Sequence, residues 1–290
     1  MQCVRGAVAI ALAFVGMGFT PAALGDDTKE FTQRQREEHL GQMREVAASI
    51  RLFAKREQAD SEVKLIEKPI LKYSDDTRLL HESSLWIWSS GGRPSAVLAV
   101  EYYPKDKRGP RWLYEIASLS TERITAEHKS DLKWTAKEPG MKLSAIERTE
   151  APAEKATRRL AQMKAIQRRF TAHEKAAIGG RIELRPLSSP LYRYSQEDAG
   201  ILDGSIFAFA NGTNPEVLLV LEAQSEQAGA SLWHYSLFQM TGAAVSVELD
   251  GKEVWQRDEA DPPAVRDSYV NGWISTQAGG DNKKSPAIDN

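Results

Sequence analysis

A tandem duplication is the feature that most constrains how this chain can fold. Residues 69–134 align without a gap onto residues 190–255 at an offset of 121, and 12 of the 66 aligned positions are identical, including two pairs of tryptophans. Upstream the match continues at an offset of 120, where residues 40–44 correspond to residues 160–164. Self-similarity at one long offset indicates two copies of a single structural unit.

Each copy begins with an apolar pattern typical of an amphipathic helix. Apolar residues recur at spacings of three and four in both copies; in residues 29–57 they are Leu40, Met43, Ala47, Ile50 and Ala54, and in the second copy Leu160, Met163, Ile166 and Phe170. Short segments rich in β-branched and aromatic residues follow, which predicts an antiparallel meander. The predicted fold class is therefore α+β, with one long helix packed on a four- or five-stranded antiparallel sheet in each unit.

Two resemblances follow from these patterns. One long helix followed by a meander resembles the cystatin-like arrangement, in which a curved sheet grips a helix. The motifs PILKYS, SSLWIW, RPSAVLAVE and WLYEIASLS are similar to those of uncharacterised exported proteins of planctomycete bacteria. Neither resemblance implies an activity, because a fold alone does not specify function and the exported proteins have no assigned one.

The first 25 residues have the pattern of a signal peptide. Arg5 is followed by an uncharged apolar run over residues 6–19, and Ala23 and Gly25 supply the small residues of a cleavage site before Asp26. An uncleaved anchor is the alternative interpretation, because the stretch is just long enough to span a bilayer. We expect cleavage, export to the periplasm or the extracellular space, and no membrane span in the mature chain.

The predicted division of the chain follows from the signal peptide, the two copies and the turn-rich stretch between them. It comprises a signal peptide over 1–25, a first unit over 26–135, a linker over 136–153, a second unit over 154–268 and a polar tail over 269–290. We expect the tail to be disordered because its last residues are polar and rich in glycine.

Composition and motifs exclude several classes of chemistry. The one cysteine, Cys3, lies in the predicted signal peptide, which excludes thiol catalysis and thiolate metal sites in the mature chain. A net charge of −2 argues against a nucleic-acid partner. His173-Glu174 begins like the zinc motif H-E-x-x-H, but the second ligand position is Ala177. The sequence therefore predicts no catalytic residue, no metal ligand and no cofactor.

Four residues remain as candidates for ligand binding. Trp86 and Trp88 alternate along one strand, so both face one side of the sheet; they form either a stacking platform for sugars or part of the core, and phenylalanines at the corresponding positions of the second copy favour the core. Glu101 and Glu222 occupy corresponding positions. They are either a carboxylate pair for acid–base chemistry, or solvated strand ends, or carboxylates bonded to arginine or tyrosine, and their shared position is better explained by common ancestry.

Charge is distributed unevenly along the second copy. Residues 152–181 carry a net charge of +6, and residues 182–265 carry −9. These segments either pair with each other, which we favour, or leave a basic helix exposed to an anionic partner.

Together these observations favour an exported, non-enzymatic module for binding or structural interaction, with an unidentified ligand or envelope partner. The alternative hypothesis is an enzyme or enzyme accessory that acts on polysaccharide.

Overall fold

The structure is a computed structural model. It describes residues 33–55, 60–75, 80–89, 92–104, 109–129, 132–175, 179–225 and 230–275. The predicted signal peptide, with Cys3, lies outside the described residues.

The described residues form 2 α-helices and 19 strands, and 55% of these residues are in strands. The helices are α1 (Gln33–Ser49) and α2 (Ala156–Gln167). The strands are β1 (Arg51–Ala54), β2 (Ser61–Val63), β3 (Leu71–Asp75), β4 (Leu80–Ser89), β5 (Pro94–Tyr103), β6 (Arg111–Ser118), β7 (Ile124–His128), β8 (Leu132–Thr135), β9 (Ser144–Ala145), β10 (Phe170–Lys175), β11 (Arg181–Pro186), β12 (Tyr192–Gln196), β13 (Ile201–Asn211), β14 (Asn214–Ser225), β15 (Ser231–Gln239), β16 (Val245–Leu249), β17 (Lys252–Arg257), β18 (Ala264–Val265) and β19 (Tyr269–Ser275).

These strands form three antiparallel sheets. The first half of the chain forms a four-stranded sheet in the order β2-β1-β7-β8. It also supplies four strands of a six-stranded sheet in the order β18-β19-β6-β5-β4-β3, whose other two strands, β18 and β19, come from the end of the second half. The second half has one nine-stranded sheet in the order β17-β16-β10-β11-β13-β14-β15-β9, with β12 also paired to β13. The short pairing of Arg185 and Pro186 on β11 with Ala210 and Phe209 on β13 joins what would otherwise be two sheets.

The predicted α+β fold class is wrong, and so is the cystatin-like arrangement. The chain is mostly β, and the helices have 17 and 12 residues. The helix predicted over residues 29–57 ends at Ser49, and Arg51–Ala54 form a strand. In the second half Phe170, which the helical pattern included, begins β10. Each half therefore has additional strands where the sequence predicted a longer helix.

The error has a simple physical origin. Ile50 and Ala54 are four positions apart, which fits a helix. Buried Leu52 and Ala54 also alternate with exposed Arg51 and half-buried Phe53, which fits a strand. A short apolar run satisfies both periods, and pairing decides between them. β1 is paired on both sides, with β2 and with β7, so the strand conformation satisfies its backbone.

Three hydrophobic cores hold these layers together. The first packs α1, through Met43 and Ala47, against Trp86 and Trp88 of β4. The third packs α2 against β13 and β14 in the same manner. The second lies between the six-stranded sheet and the nine-stranded sheet, because Ile87 and Val97 of the first half share it with Ile206 and Leu218 of the second. The two halves therefore meet through the sheet faces that point away from their helices.

Segments predicted to be unstructured complete two of the sheets. Residues 269–275, assigned to the polar tail, form β19 and pair with β6 in the first half, so this part of the prediction is wrong. Tyr269 and Val270 are buried there. Within the predicted linker, β9 pairs with β15 through Ser144 and Ala145. The remainder of the predicted tail, residues 276–290, lies outside the described residues.

Candidate functional site

Trp86 and Trp88 face the same side of β4, and both are buried beneath α1. Only 0% and 1% of their surfaces are exposed. The Trp86 indole donates a hydrogen bond to Ser84 Oγ at 2.8 Å, and Ser84 Oγ lies 3.0 Å from the sulfur of Met43 on α1. Because protein covers the ring faces, a sugar ring cannot stack on them in this arrangement.

A groove opens beside these tryptophans, where the first core reaches the surface. Its volume is about 720 Å³, which is typical of a site for a small molecule. Its floor is lined by the apolar residues Ile50, Val63, Leu65, Trp86 and Trp88, and among these five Leu65 has the largest accessible fraction. The wall formed by residues 64–68 is held against β4 by backbone hydrogen bonds from Ser89 N to Lys64 O and from Ile66 N to Ile87 O, each 2.9 Å long.

The rim of the groove carries more positive than negative charge. Four cations and two carboxylates line it: Arg44, Arg51, Lys64, Lys68, Glu62 and Glu67. Arg51 and Glu62 form a bidentate pair with both distances 3.1 Å, and this hydrogen bonding raises the pKa of Arg51 and lowers the pKa of Glu62. In the described part of the chain no ion pair involves Arg44, Lys64 or Lys68.

Glu101 and Glu222 lie on the opposite face of their sheets from the tryptophan layer, in the interface between the halves. Both are buried, with 2% and 0% of their surfaces exposed. Tyr73 donates to Glu101 at 2.9 Å, and Tyr194 donates to Glu222 at 2.6 Å. The tryptophans and the two carboxylates therefore do not line one cleft.

Glu222 is neutralised by an arginine from the other half of the chain. Arg93, which follows β4, reaches Glu222 with two hydrogen bonds of 2.9 and 2.6 Å. Gln224 donates a further bond of 2.5 Å. All of these contacts hold the carboxylate in place and lie within the protein, which is the arrangement of a structural ion pair.

Glu101 belongs to a different environment. It accepts hydrogen bonds from Tyr73 and Tyr103, both at 2.9 Å. Glu115, on the neighbouring strand, accepts a bond of 2.6 Å from Tyr269. Burial raises the pKa of Glu115 well above its usual value, and the negative charges of Glu101 and Glu216 raise it further. A proton shared within this group is therefore favoured over full ionisation.

Two of the contacts between the halves form a reciprocal pair. A Cβ at Gly92 would lie 2.6 Å from the carbonyl oxygen of Ser195, and glycine is also favoured there by its φ of 102°. Thr213 Oγ1 donates to the carbonyl of Ser74. Thr213 and Ser195 lie 121 positions after Gly92 and Ser74, so each contact joins the residues that correspond to those of the other. The same offset places Asn214 at the position of Arg93, so the charged contact is made on one side only.

We predict that ionisation of Glu115 makes the protein less stable as pH rises. The folded-state pKa lies above the unfolded value of about 4.3. Its stabilising contribution is complete below that unfolded value and is lost as pH rises through the folded pKa. Glu115→Gln is expected to remove this loss in thermal unfolding measured between about pH 4 and about pH 9. Equal pH slopes for wild type and variant would contradict the prediction; the exposed Glu253→Gln is the control.

The basic segment of the second half pairs with acidic residues of its own sheet. Three ion pairs join them: Arg159 with Asp203 at 2.9 Å, Arg169 with Asp250 at 2.6 Å and Arg181 with Glu248 at 2.7 Å. These pairs support the interpretation of complementary segments for three of the eight basic residues. His173, from the incomplete zinc motif, contacts Arg181 at 2.7 Å. Among the described residues no group of three His, Cys, Asp or Glu side chains could hold a metal ion.

A second cleft, of about 630 Å³, lies between the halves beside β15 and β17. Charged groups of this cleft form an ion pair with each other or contact a neighbouring aromatic ring. Lys142 pairs with Glu138 at 2.5 Å, and the Arg257 guanidinium lies 4.9 Å from the ring centroid of Trp255. The groove beside α1 is the better candidate for ligand binding, because three cations on its rim take part in none of the ion pairs among the described residues.

Sequence reasoning missed several residues of both sites. The sequence patterns single out neither Arg93 nor Glu115. One pattern in the sequence did indicate part of the interface. Tyr73 and Glu101 recur in the second copy as Tyr194 and Glu222, and the two partners are 28 positions apart in each copy. No pattern indicated the groove, because its rim combines residues of α1 with residues of the segment after β2.

Comparison with known proteins found no matching family model, no similar curated protein and no similar solved structure. Within the described ranges, no helix is both long enough and apolar enough to cross a bilayer.

Proposed function

We propose that this protein is an exported, non-enzymatic binding module that holds a ligand in the groove beside α1. The observation that carries this proposal is the combination of a volume of about 720 Å³, an apolar floor and a charged rim. Ligand sites typically join an apolar cavity to a few polar groups that orient the ligand. The groove has this composition, whereas the buried carboxylates Glu101 and Glu222 are engaged in hydrogen bonds within the protein.

A fluorescent probe tests the binding function directly. We expect 1-anilinonaphthalene-8-sulfonate to bind the full mature chain with a fluorescence increase that saturates. Ala48 is exposed on α1 and lines the groove, so Ala48→Trp should fill the groove and abolish the signal without unfolding the protein. Ala165→Trp, at an exposed position of α2, is the matched control and should bind as wild type does. An Ala48→Trp variant that binds normally would contradict the proposal.

The non-enzymatic part of the proposal rests on the environment of the carboxylates. Glu222 is held by Arg93, and Glu101 by tyrosine hydroxyls, and both are buried. Neither faces an open cleft in which a glycosidic bond would fit between two carboxyl groups. Turnover of any polysaccharide that the double variant Glu101→Gln, Glu222→Gln abolishes would overturn this part of the proposal.

Export is proposed on the sequence of the first 25 residues alone. Cleavage after Gly25 would leave a mature chain that starts at Asp26 and contains no cysteine. Mass spectrometry of the protein recovered outside the cytoplasm would identify the terminus. Recovery of an intact Met1 terminus would refute cleavage.

The duplication is part of the same proposal. The reciprocal contacts of Gly92 and Thr213, and the two Tyr–Glu pairs, support an origin of the two halves from one ancestral unit. An experimental structure in which residues 69–134 superpose best on the second half at an offset other than 121 would refute it.

A further inference from the structure

We infer that the ligand of the groove is an amphiphile with an anionic head group and an alkyl chain, an inference that rests on the proposed binding function. The floor is apolar, and the rim has more cations than carboxylates. A ligand that complements both features has a chain for the floor and a negative group for the rim. A neutral hydrocarbon would leave the rim cations unmatched, and a fully polar anion would leave the floor unfilled.

The charges at the rim favour an anion over a cation. Arg51 is already matched by Glu62, at 3.1 Å in both of their hydrogen bonds. Of the remaining charged groups that line the groove, Arg44, Lys64 and Lys68 are positive and Glu67 is negative. All four are exposed, so their side chains can move to a bound head group. A carboxylate or a phosphate therefore meets an excess of positive charge at the mouth of the groove.

The same cations also extend the apolar surface. Arginine and lysine bury their methylene stems along apolar surface while their charged ends stay in water. Arg44 belongs to α1 on one side, and Lys64 and Lys68 belong to the segment that runs antiparallel alongside β4 on the other. Leu65 and Ala48 lie between them with part of their surfaces accessible. An alkyl chain can thus lie along the floor and the stems while its head group lies at the rim.

Two kinds of ligand outside the cytoplasm carry such a head group, a free long-chain carboxylate and an anionic lipid. Both have the chemistry inferred here. Dodecanoate represents the first source and a lysophosphatidylglycerol the second, and dodecanol and dodecylammonium supply the neutral and cationic counterparts of equal chain length. Titration calorimetry below the critical micelle concentrations, with the full mature chain, compares all four.

We expect dodecanoate or the lysolipid to bind at least ~10-fold more tightly than dodecanol, and dodecylammonium to bind more weakly still. Whichever anionic ligand binds more tightly identifies the source. The double variant Lys64→Glu, Lys68→Glu should lose at least ~10-fold in affinity for the anion and little for dodecanol. Lys133→Glu, Lys252→Glu makes the same change in net charge at exposed positions outside the groove and should bind as wild type does. Affinity for the anion should also fall as salt is added.

The outcomes separate this inference from the proposed function. Equal affinity for dodecanol and both anions, or an unchanged affinity of the Lys64→Glu, Lys68→Glu variant for the anion, would overturn the inference. If the anilinonaphthalene probe binds in the groove but no alkyl ligand does, the inference fails while the binding function stands. If neither the probe nor any alkyl ligand binds, both fail.

Discussion

Replacement of Arg93 by alanine is expected to lower the free energy of unfolding by about 3–5 kcal/mol, because it leaves the fully buried Glu222 without its countercharge. Arg93 makes both of its hydrogen bonds to this carboxylate, at 2.9 and 2.6 Å. The remaining donors, Tyr194 and Gln224, carry no charge and cannot offset the desolvation of a carboxylate. For a chain of this size the loss corresponds to a decrease in Tm of roughly 10 °C.

A second substitution separates the lost ion pair from other effects of Arg93→Ala. In the double variant Arg93→Ala, Glu222→Gln the buried group is neutral and can still accept from Tyr194, so much of the lost stability should return. Lys142→Ala breaks an exposed pair with Glu138 and should cost less than about 1 kcal/mol. Urea unfolding monitored by tryptophan fluorescence measures all three variants. A cost for Arg93→Ala no greater than that of Lys142→Ala would show that the buried pair is not needed.

Replacement of Trp86 by alanine is expected to cost about 3–5 kcal/mol, because it opens a cavity in the first core beneath α1. None of the Trp86 surface is exposed, and the indole packs where α1 crosses β4. Trp86→Phe should cost less, since phenylalanine occupies the corresponding position, Phe207, in the third core. The side chain thus acts chiefly through its volume, and the hydrogen bond from its indole N–H to Ser84 Oγ accounts for the smaller cost that we expect for Trp86→Phe.

The sugar-platform hypothesis makes the opposite forecast for the same pair of variants. An exposed stacking residue would lose ligand binding on conversion to alanine with little change in Tm, because surface substitutions rarely alter stability by more than about 0.5 kcal/mol. Thermal unfolding of Trp86→Ala and Trp86→Phe therefore discriminates the two roles. A Trp86→Ala variant that retains wild-type Tm would contradict the core assignment.

Local patterns predicted some elements better than others. Alternation along β4 correctly placed Trp86 and Trp88 on one face, because successive residues of any strand point to opposite sides. The helix lengths were wrong, because the apolar residues near Ile50 and Phe170 satisfy both a helical and a strand period. The tail prediction failed at Tyr269–Ser275 for a related reason. A strand that completes a distant sheet derives its stability from its partner, β6, and not from its own composition.

The interface between the halves was beyond the reach of local reasoning. Arg93 and Glu222 are 129 residues apart, and Glu115 and Tyr269 are 154 apart. Neither pair forms a motif of fixed spacing, so no pattern brings the partners together. The recurrence of Tyr73 with Glu101 and of Tyr194 with Glu222 was visible, but whether the carboxylates would be buried or exposed depended on how the sheets pack.

The sequence by itself predicted the repeated register and the strand faces. It is also the sole basis of the export that we propose, in which the single cysteine would be lost with the signal peptide. The packed fold settled the rest. It determined that the halves meet through their outer sheet faces, that Glu101 and Glu222 are buried there in unlike surroundings, and that a groove with excess positive charge lies beside α1. Those features depend on contacts between segments far apart in the chain, whose geometry is set when apolar faces on several elements are buried at once.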